Sequence, residues 1–411
     1  MSEPVRQPFH PIVWTILYFP FGALGGFVSF PLTFLATQNG MSISEGAWLN
    51  GANMLSQWWK WTWAPAVDVT LSPKLWYMFS IVTSAIGILA MSAIPLSSEN
   101  LPVLLPIIAI ASLVNTVVGM SLEAIIAATT PREDISRNSA WFQAGNLGGA
   151  GLAGGGGLFL LKALPAPWMT GAVFAVSFLA CGLLLLAIPD VKRHGHEAGP
   201  VVAVQGVFQD VLALARTKGG LLAATLCFLP IGTGAGQGVL MQSAVAAHWG
   251  AGESDVEWFG LISAAVNAAG CFMGGALCTR LGPQRAYTTI GAALAAVAAL
   301  MAITPATPFA YMAWNIVYAL GVGLAYAAFT AVVLDVMGKG SGASKYTIYA
   351  SLSNFPIWWL GLLLGRVADA SGPSAMLLTE AALGVLGVIL FAMSGRLIAK
   401  TSLADALPEG A

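Results

Sequence analysis

The sequence predicts an all-α integral membrane protein with twelve transmembrane helices in two six-helix bundles. The 411 residues are 57% hydrophobic and only 9% charged, whereas charged side chains approach a quarter of a soluble domain. Apolar runs long enough to cross a bilayer recur along the chain, and features of the first half return in the second. A net charge of −1 without a basic stripe argues against nucleic acid as a partner.

Twelve segments are long and apolar enough to span the membrane, since about 20 residues cross about 30 Å of hydrocarbon. In chain order they are predicted at 13–36, 46–66, 74–96, 101–129, 138–163, 167–189, 219–248, 255–279, 285–304, 308–336, 346–369 and 373–395. Because further spans follow the first, we expect it to be a retained span and not a cleaved signal sequence.

The basic residues predict the orientation of these spans. If the N-terminus is cytoplasmic, all but three of the 17 lysines and arginines fall on the cytoplasmic side. Lys162 and Arg366 fall outside, and Lys60 lies within span two. This positive-inside pattern predicts a multi-pass protein of the plasma membrane, the inner membrane of a bacterium, with both termini cytoplasmic.

The longest non-spanning segment, 190–218, divides the chain into halves. Its second part, VVAVQGVFQDVLALAR, has apolar residues at helical spacing and predicts a short helix on the cytoplasmic surface. We therefore expect one bundle at 1–189, a linker at 190–218, and a second bundle with its tail at 219–411.

The two halves share residues at corresponding places, which indicates an internal repeat. The offset is 210 residues in the first two spans of each half and becomes shorter further along. The matched pairs are Pro20 with Pro230, Gly22 with Gly232, Gly26 with Gly236, Trp48 with Trp258, Asn115 with Asn315 and Asn146 with Asn354.

Loop motifs add a family resemblance to this layout. WAPAVD followed by LSPKLW, and GGALCTRLGPQRA, resemble the G-x-x-x-D-x-x-G-R-[KR] loop signature of the major facilitator superfamily. Residues 60–68 resemble the K-x-x-W-A-P-x-x-D stretch of the muropeptide permease (AmpG), acetyl-coenzyme A transporter and siderophore permease group. That group often carries several polar or acidic residues on span four, of which this chain keeps Glu123. The resemblance implies a transporter whose bundles rock about a site near the midplane.

Two charged residues inside predicted spans are the candidate coupling site. Lys60 lies eight residues before Asp68, or about 12 Å from the inner end of span two at 1.5 Å per residue. Glu123 precedes the PRED loop by eight residues and so has nearly the same depth. Intramembrane charges usually face a cavity and have a partner. The hypothesis is that Glu123 carries a proton while Lys60 pairs with it or binds an anionic substrate. A fixed ion pair, or a lysine that reaches the interface, is the alternative.

Glycine and proline in spans one and seven predict helix breaks beside a central cavity, where freed backbone groups can be satisfied. The predicted break residues are Pro20, Gly22, Pro230 and Gly232. The predicted cavity residues are aromatic or uncharged and polar, namely Trp59, Asn115, Gln237, Gln242, Asn315, Tyr326 and Asn354. The glycine-rich run GNLGGAGLAGGGG on span five lacks the lysine of a phosphate-binding loop, and it predicts close helix packing.

The superfamily resemblance implies a cytoplasmic gate in which Asp68 lies against the N-terminus of span eleven, near Lys345. Arg132 or Arg137 is expected as a further partner, and Arg280 stands in the second loop motif. A helix-end carboxylate in water is the alternative reading of Asp68. Glu380 on span twelve is expected to be a partner for a neighbouring polar group.

These observations favour a proton-coupled importer of a peptide, muropeptide or siderophore-like solute. Drug or metabolite efflux, or a non-transporting membrane sensor, are the alternatives. No HExxH or GxSxG motif is present, so an enzyme is not expected. The four cysteines lack CxxC spacing, and neither a metal nor a cofactor is predicted. Since one chain contains both bundles, a monomer is expected to suffice, with the lipid bilayer, the solute and protons as its partners.

Overall fold

The computed structural model describes residues 10–63, 67, 70–129, 135–188, 202, 205–206, 209, 216, 225–337 and 343–404. Its described elements are helical, and we number the spans in chain order. The first six are Ile12–Phe27 with its continuation to Gln38, Ile43–Trp59, Pro73–Ala93, Leu101–Thr129, Ile135–Ala163 and Pro167–Leu183. The helix starts follow local chemistry: Ser42 caps span two in a capping box with Glu45, and Ser72 caps span three ahead of Pro73.

The second half repeats this series of helices. Span seven contains the short helices Ala235–Leu240 and Ser243–Ala246, and spans eight to ten are Glu253–Leu281, Pro283–Ile303 and Pro308–Met337. Span eleven begins with Ala343–Leu352 and continues in Asn354–Ala404, which also contains span twelve. The two are separated at Gly372, whose φ of 84° is outside the helical region and is readily adopted by glycine.

Eight helices of the described residues are long and apolar enough to cross a membrane by length and composition alone. One of them, Ile348–Ser394, joins spans eleven and twelve. Spans two, five and seven are missing from these eight for identifiable reasons. Span two carries polar residues, span five is rich in glycine, and span seven is interrupted. Twelve helices, as predicted, therefore follow when these three are added and the joined pair is divided.

Span one corrects the predicted break at Pro20 and Gly22. The α-helix continues through both residues from Ile12 to Phe27, and the irregular turn is π-helical at Val28–Leu32. A Cβ atom on Gly22 would lie 1.9 Å from the carbonyl oxygen of Asn146. Gly22 therefore serves close packing of span one against span five.

Span seven is interrupted at the corresponding place. Pro230 follows the short helical stretch 225–228, and the next helix begins only at Ala235. Gly232 and Gly234 have φ of 61° and 67°, which glycine adopts without a steric penalty. The backbone groups of this segment consequently need partners other than those of a regular helix.

Helix contacts group the spans into two bundles. Span one packs on spans four and five, and span three on spans four and six, while spans eight and ten, and nine and twelve, pair in the second half. Between the bundles, span two contacts span eleven and span five contacts span eight. The predicted linker at 190–218 and the limits of the domains lie outside the described residues, apart from isolated positions, and stay predictions.

Tyrosines in corresponding positions fasten the first span of each half to its own bundle. Tyr77 of span three donates to the carbonyl oxygen of Leu17 at 2.6 Å, and Tyr287 of span nine donates to that of Ile231 at 3.0 Å. Both hydroxyl groups are buried, where a hydrogen bond avoids the cost of an unsatisfied polar group. The two residues are separated by the same 210 positions as the other repeat pairs.

Candidate functional site

Lys60 of span two and Glu123 of span four are within electrostatic range of each other. Lys60 begins a 3₁₀ turn, Lys60–Thr62, at the end of span two, and its ammonium group interacts electrostatically with the Glu123 carboxylate. The Lys60 side chain is partly accessible and that of Glu123 is exposed. The predicted equal depth of the two charges is consistent with this interaction.

Two tyrosines extend this pair toward the other bundle. Tyr18 of span one is within electrostatic range of Glu123 and of Tyr326 of span ten. The Tyr18 ring stacks on Phe142, with centroids 3.6 Å apart, while Tyr326 is 57% exposed. Side chains from spans one, two, four and ten are therefore within electrostatic range of one another. We call Lys60, Glu123, Tyr18 and Tyr326 the central cluster.

Aromatic side chains lie next to the central cluster. Trp58 of span two contacts Phe355 and Trp358 of span eleven, with ring centroids 5.1 Å and 5.9 Å away. Trp59, the predicted substrate contact, is 47% exposed and meets Trp58 and Trp63 edge-on. The tryptophans of QWWKWTW thus divide between a contact with the second bundle and an accessible face.

The predicted asparagines make hydrogen bonds between or within helices. Asn115 is 2% exposed, and its amide donates to the Phe21 carbonyl at 3.0 Å while its oxygen accepts from Ser84 at 3.3 Å. Asn315 is fully buried and donates to the Tyr311 carbonyl in its own helix. Asn354 likewise donates to the Ala350 carbonyl at the irregular turn of span eleven. Contact of these amides with substrate stays a prediction.

The two predicted glutamines lie near the contact between spans seven and two. Gln242 is fully buried, and a Cβ on Gly46 of span two would lie 2.5 Å from its amide oxygen. Buried amide atoms of Gln237 and Gln242 have no hydrogen-bond partner within the described part of the chain. A role in binding substrate likewise stays a prediction.

The ends of the spans that are predicted to face outward are joined across the two bundles. Asp369 of span eleven accepts hydrogen bonds from the backbone N–H groups of Ile43 and Ser44, both at 2.7 Å. Lys162 pairs with Glu257 at 2.9 Å. These contacts close the predicted outer side in this conformation. Sequence reasoning missed Asp369, since only its distance to the start of span two reveals its role.

Other contacts support the same closure. The Thr37 and Ser243 hydroxyl oxygens lie 2.9 Å apart, and the Arg366 guanidinium lies 5.7 Å from the centre of the Trp48 ring. At the opposite side, Arg280 is exposed at the end of span eight. Asp68 and Arg132 lie outside the described residues, as do the side chains of Arg137 and Lys345, so the predicted cytoplasmic gate stays a prediction.

Comparison with solved structures identifies the same fold. A crystal structure of the nucleoside transporter NupG superimposes with a TM-score of 0.69 at 14% identity, covering 94% of this chain and 99% of that one. A D-xylose-proton symporter gives 0.71 at 13% identity, covering 93% and 96%. A POT family transporter in complex with 5-aminolevulinic acid gives 0.72 at 10% identity, covering 96% and 98%.

The sequence itself also matches a family profile. The profile described as Major Facilitator Superfamily covers residues 14–358, which is most of the chain. With its two helical bundles and the solved transporters that share its fold, this protein belongs to the major facilitator superfamily and is a membrane transporter, not an enzyme.

Proposed function

We propose that this transporter is a proton-coupled symporter that imports a polar solute with an acidic group. The central cluster supports this proposal, because it combines an acidic and a basic side chain within electrostatic range of each other. Intramembrane ionisable groups in such positions are typical of proton relays and substrate pathways. The related fold of a D-xylose-proton symporter supports proton coupling as chemistry that this architecture accommodates.

In the proposed cycle, Glu123 takes up a proton from water on the outer side. Neutralisation of its carboxylate leaves the Lys60 ammonium available to bind an acidic group of the solute. The bundles then move so that the cavity closes on the outer side and opens to the cytoplasm. Solute and proton are released together into the cytoplasm. The proton leaves the Glu123 carboxyl group for water, and the interaction between Glu123 and Lys60 is restored.

The solute class follows from the charges and the aromatic residues near them. Lys60 suits a carboxylate, and the accessible face of Trp59 suits a ring or apolar portion. The resemblance of residues 60–68 to the muropeptide permease group supports a peptide, muropeptide or siderophore-like solute. We also propose a monomer in the bacterial inner membrane with both termini cytoplasmic, as the positive-inside pattern supports.

The test is solute-driven proton movement in sealed vesicles that contain the purified protein and luminal pyranine. Peptides, muropeptides, siderophores and nucleotide-linked acyl compounds are added in turn. Glu123→Gln is compared with Glu99→Gln, which neutralises an exposed acid in the loop before span four.

We expect one solute class to acidify the lumen, because symport carries a proton inward with the added solute, and Glu99→Gln should behave like the wild type. Glu123→Gln is expected to remove the proton signal while solute exchange continues. If the wild type moves a labelled solute without any proton signal, and Glu123→Gln does the same, the symport proposal is wrong.

A further inference from the structure

A small cavity lies inside the second bundle, separate from the central cluster. It is lined by the interrupted segment of span seven together with spans nine, ten and twelve, and Thr233, Tyr318 and Glu380 supply its polar side chains. Its volume is about 20 Å³, which is room for one water molecule.

Glu380 enters this cavity as a buried carboxyl group, 9% exposed. Its Oε1 atom accepts hydrogen bonds from the Tyr318 hydroxyl at 2.5 Å and from the backbone N–H of Gly236 at 3.2 Å. Its Oε2 atom is buried and has no hydrogen-bond partner among the described residues. The two carboxyl oxygens therefore differ, since Oε1 accepts two hydrogen bonds and Oε2 accepts none from the described residues.

The contact with Gly236 explains why a hydrogen-bond acceptor is placed here. Gly236 lies in the first turn after the interruption, where a helical N–H lacks an acceptor four residues earlier. The positive φ angles of Gly232 and Gly234 turn the preceding carbonyl groups away from a helical path. The Glu380 carboxyl group takes the place of the missing acceptor and so holds the interrupted segment of span seven.

The surroundings of Glu380 disfavour its ionised form. Across the cavity, span nine presents Leu294 and Ala295, and Tyr318 is the titratable side chain that faces the carboxyl group. No cationic side chain is among the described residues that line this cavity. A buried carboxylate with one oxygen unpaired loses its hydration without compensation, whereas a protonated carboxyl group needs only one acceptor for its O–H.

We propose that Glu380 is a proton-binding site of the second bundle, with the proton on Oε2 donated to a water molecule in the cavity. Release transfers that proton to the water and onward to solvent, leaving a carboxylate at the interruption of span seven. The negative charge of the carboxylate strengthens the hydrogen bonds from Gly236 and Tyr318. Because Oε2 then needs hydration, proton loss favours a more open cavity. The site does not depend on the proposed role of Glu123.

A sodium ion is a different occupant of such a site, but the small volume of the cavity argues against it. A cation would need several oxygens at once, and the cavity holds about one water. A proton requires only Oε2 and that water.

The experiment is infrared spectroscopy of the full-length protein in lipid, titrated from mildly acidic to mildly alkaline pH. We expect a protonated-carboxyl C=O band at neutral pH that disappears in Glu380→Gln and is kept in Glu123→Gln. Glu380→Gln preserves the shape of the side chain and an acceptor for Gly236. Tyr318→Phe, which keeps the acid and removes one hydrogen bond, is expected to shift the frequency of the same band.

The spectra decide the proposal without reference to transport. If neither Glu380→Gln nor Tyr318→Phe alters any carboxyl band across the titration, Glu380 is ionised throughout and the proposal is wrong. If sodium chloride abolishes the band and choline chloride does not, a metal cation replaces the proton and the assignment is likewise overturned. The absence of symport in vesicles would reject the proposed function and leave this band unaffected.

Discussion

At the scale of single residues, Lys60 shows how a charge can be kept inside a span. The ammonium group sits at the end of span two, interacts with Glu123 and remains partly accessible. Partner and access together reduce the cost of removing a charge from water. Trp58 and Trp59 on the same turn face different surroundings, since successive helical residues point about 100° apart.

If Lys60 binds an acidic group of the solute, Lys60→Gln should weaken binding by a predictable amount. Hydrogen bonds to charged groups contribute roughly 1.5–3 kcal/mol, so we expect the KM for uptake to rise about tenfold to hundredfold. Lys74→Gln is the control, because Lys74 donates to the Ile188 carbonyl away from the central cluster. Uptake measured at several solute concentrations gives the KM of each variant. An unchanged KM in Lys60→Gln would leave the lysine as a structural partner of Glu123.

At the scale of elements, spans one and seven show that the same residues can fold differently. Pro20 and Gly22 correspond to Pro230 and Gly232 in the repeat, yet span one stays helical there and span seven is interrupted. Gly22 meets the backbone of span five, whereas Gly232 has φ of 61°. The two glycines differ in their tertiary neighbours, which lie on other spans and cannot be read from the sequence of the span itself.

Glycines on spans one and five predict a stability difference that depends on position. A Cβ on Gly26 would lie 2.2 Å from the Ala150 carbonyl oxygen, whereas Gly148 on span five has nothing within 4 Å. We expect Gly26→Ala to lower stability by roughly 1–3 kcal/mol through overpacking. Gly148→Ala should be neutral or slightly stabilising because alanine favours helix.

Thermal unfolding in detergent, followed by tryptophan fluorescence, measures both variants. The midpoint of Gly26→Ala should fall clearly below that of Gly148→Ala. Equal midpoints for the two variants would contradict the close contact between spans one and five.

At the scale of the whole molecule, the contacts between bundles at the predicted outer side define the conformation. Asp369 uses both carboxylate oxygens on the first N–H groups of span two, where the helix dipole also favours a negative charge. Lys162 and Glu257 add a second connection between spans five and eight. These contacts must break before the outer side can open.

Asp369→Ala should therefore shift the population toward open outer ends. Loss of a helix cap costs about 0.5–2 kcal/mol, which corresponds to a shift of roughly twofold to thirtyfold in the ratio of the two states. Spin labels at Asn39 and His248, in a variant without the native cysteines, report the distance between the outer ends. Glu257→Gln should shift it less, because exposed ion pairs contribute about 0–1 kcal/mol. A distance distribution identical to wild type in Asp369→Ala would show that this cap does not hold the outer side closed.

Much of this protein could be predicted from the sequence because the relevant signals are local. Hydropathy adds up along the chain, so the class, the twelve spans and most of their ends were predictable, including the fourth span at 101–129. The equal depth of Lys60 and Glu123 stays a prediction, because the α-helix of span two ends at Trp59 and Lys60 begins a 3₁₀ turn.

Only the tertiary structure decided which groups meet. Tyr18 joins the central cluster, Asp369 caps span two, and Glu380 replaces an acceptor in span seven. Each of these three residues is far in sequence from its partners. These partners depend on how helices pack and on where a backbone N–H group lacks its usual acceptor. Such geometry arises from contacts between spans, whereas the sequence pattern specifies each span by itself.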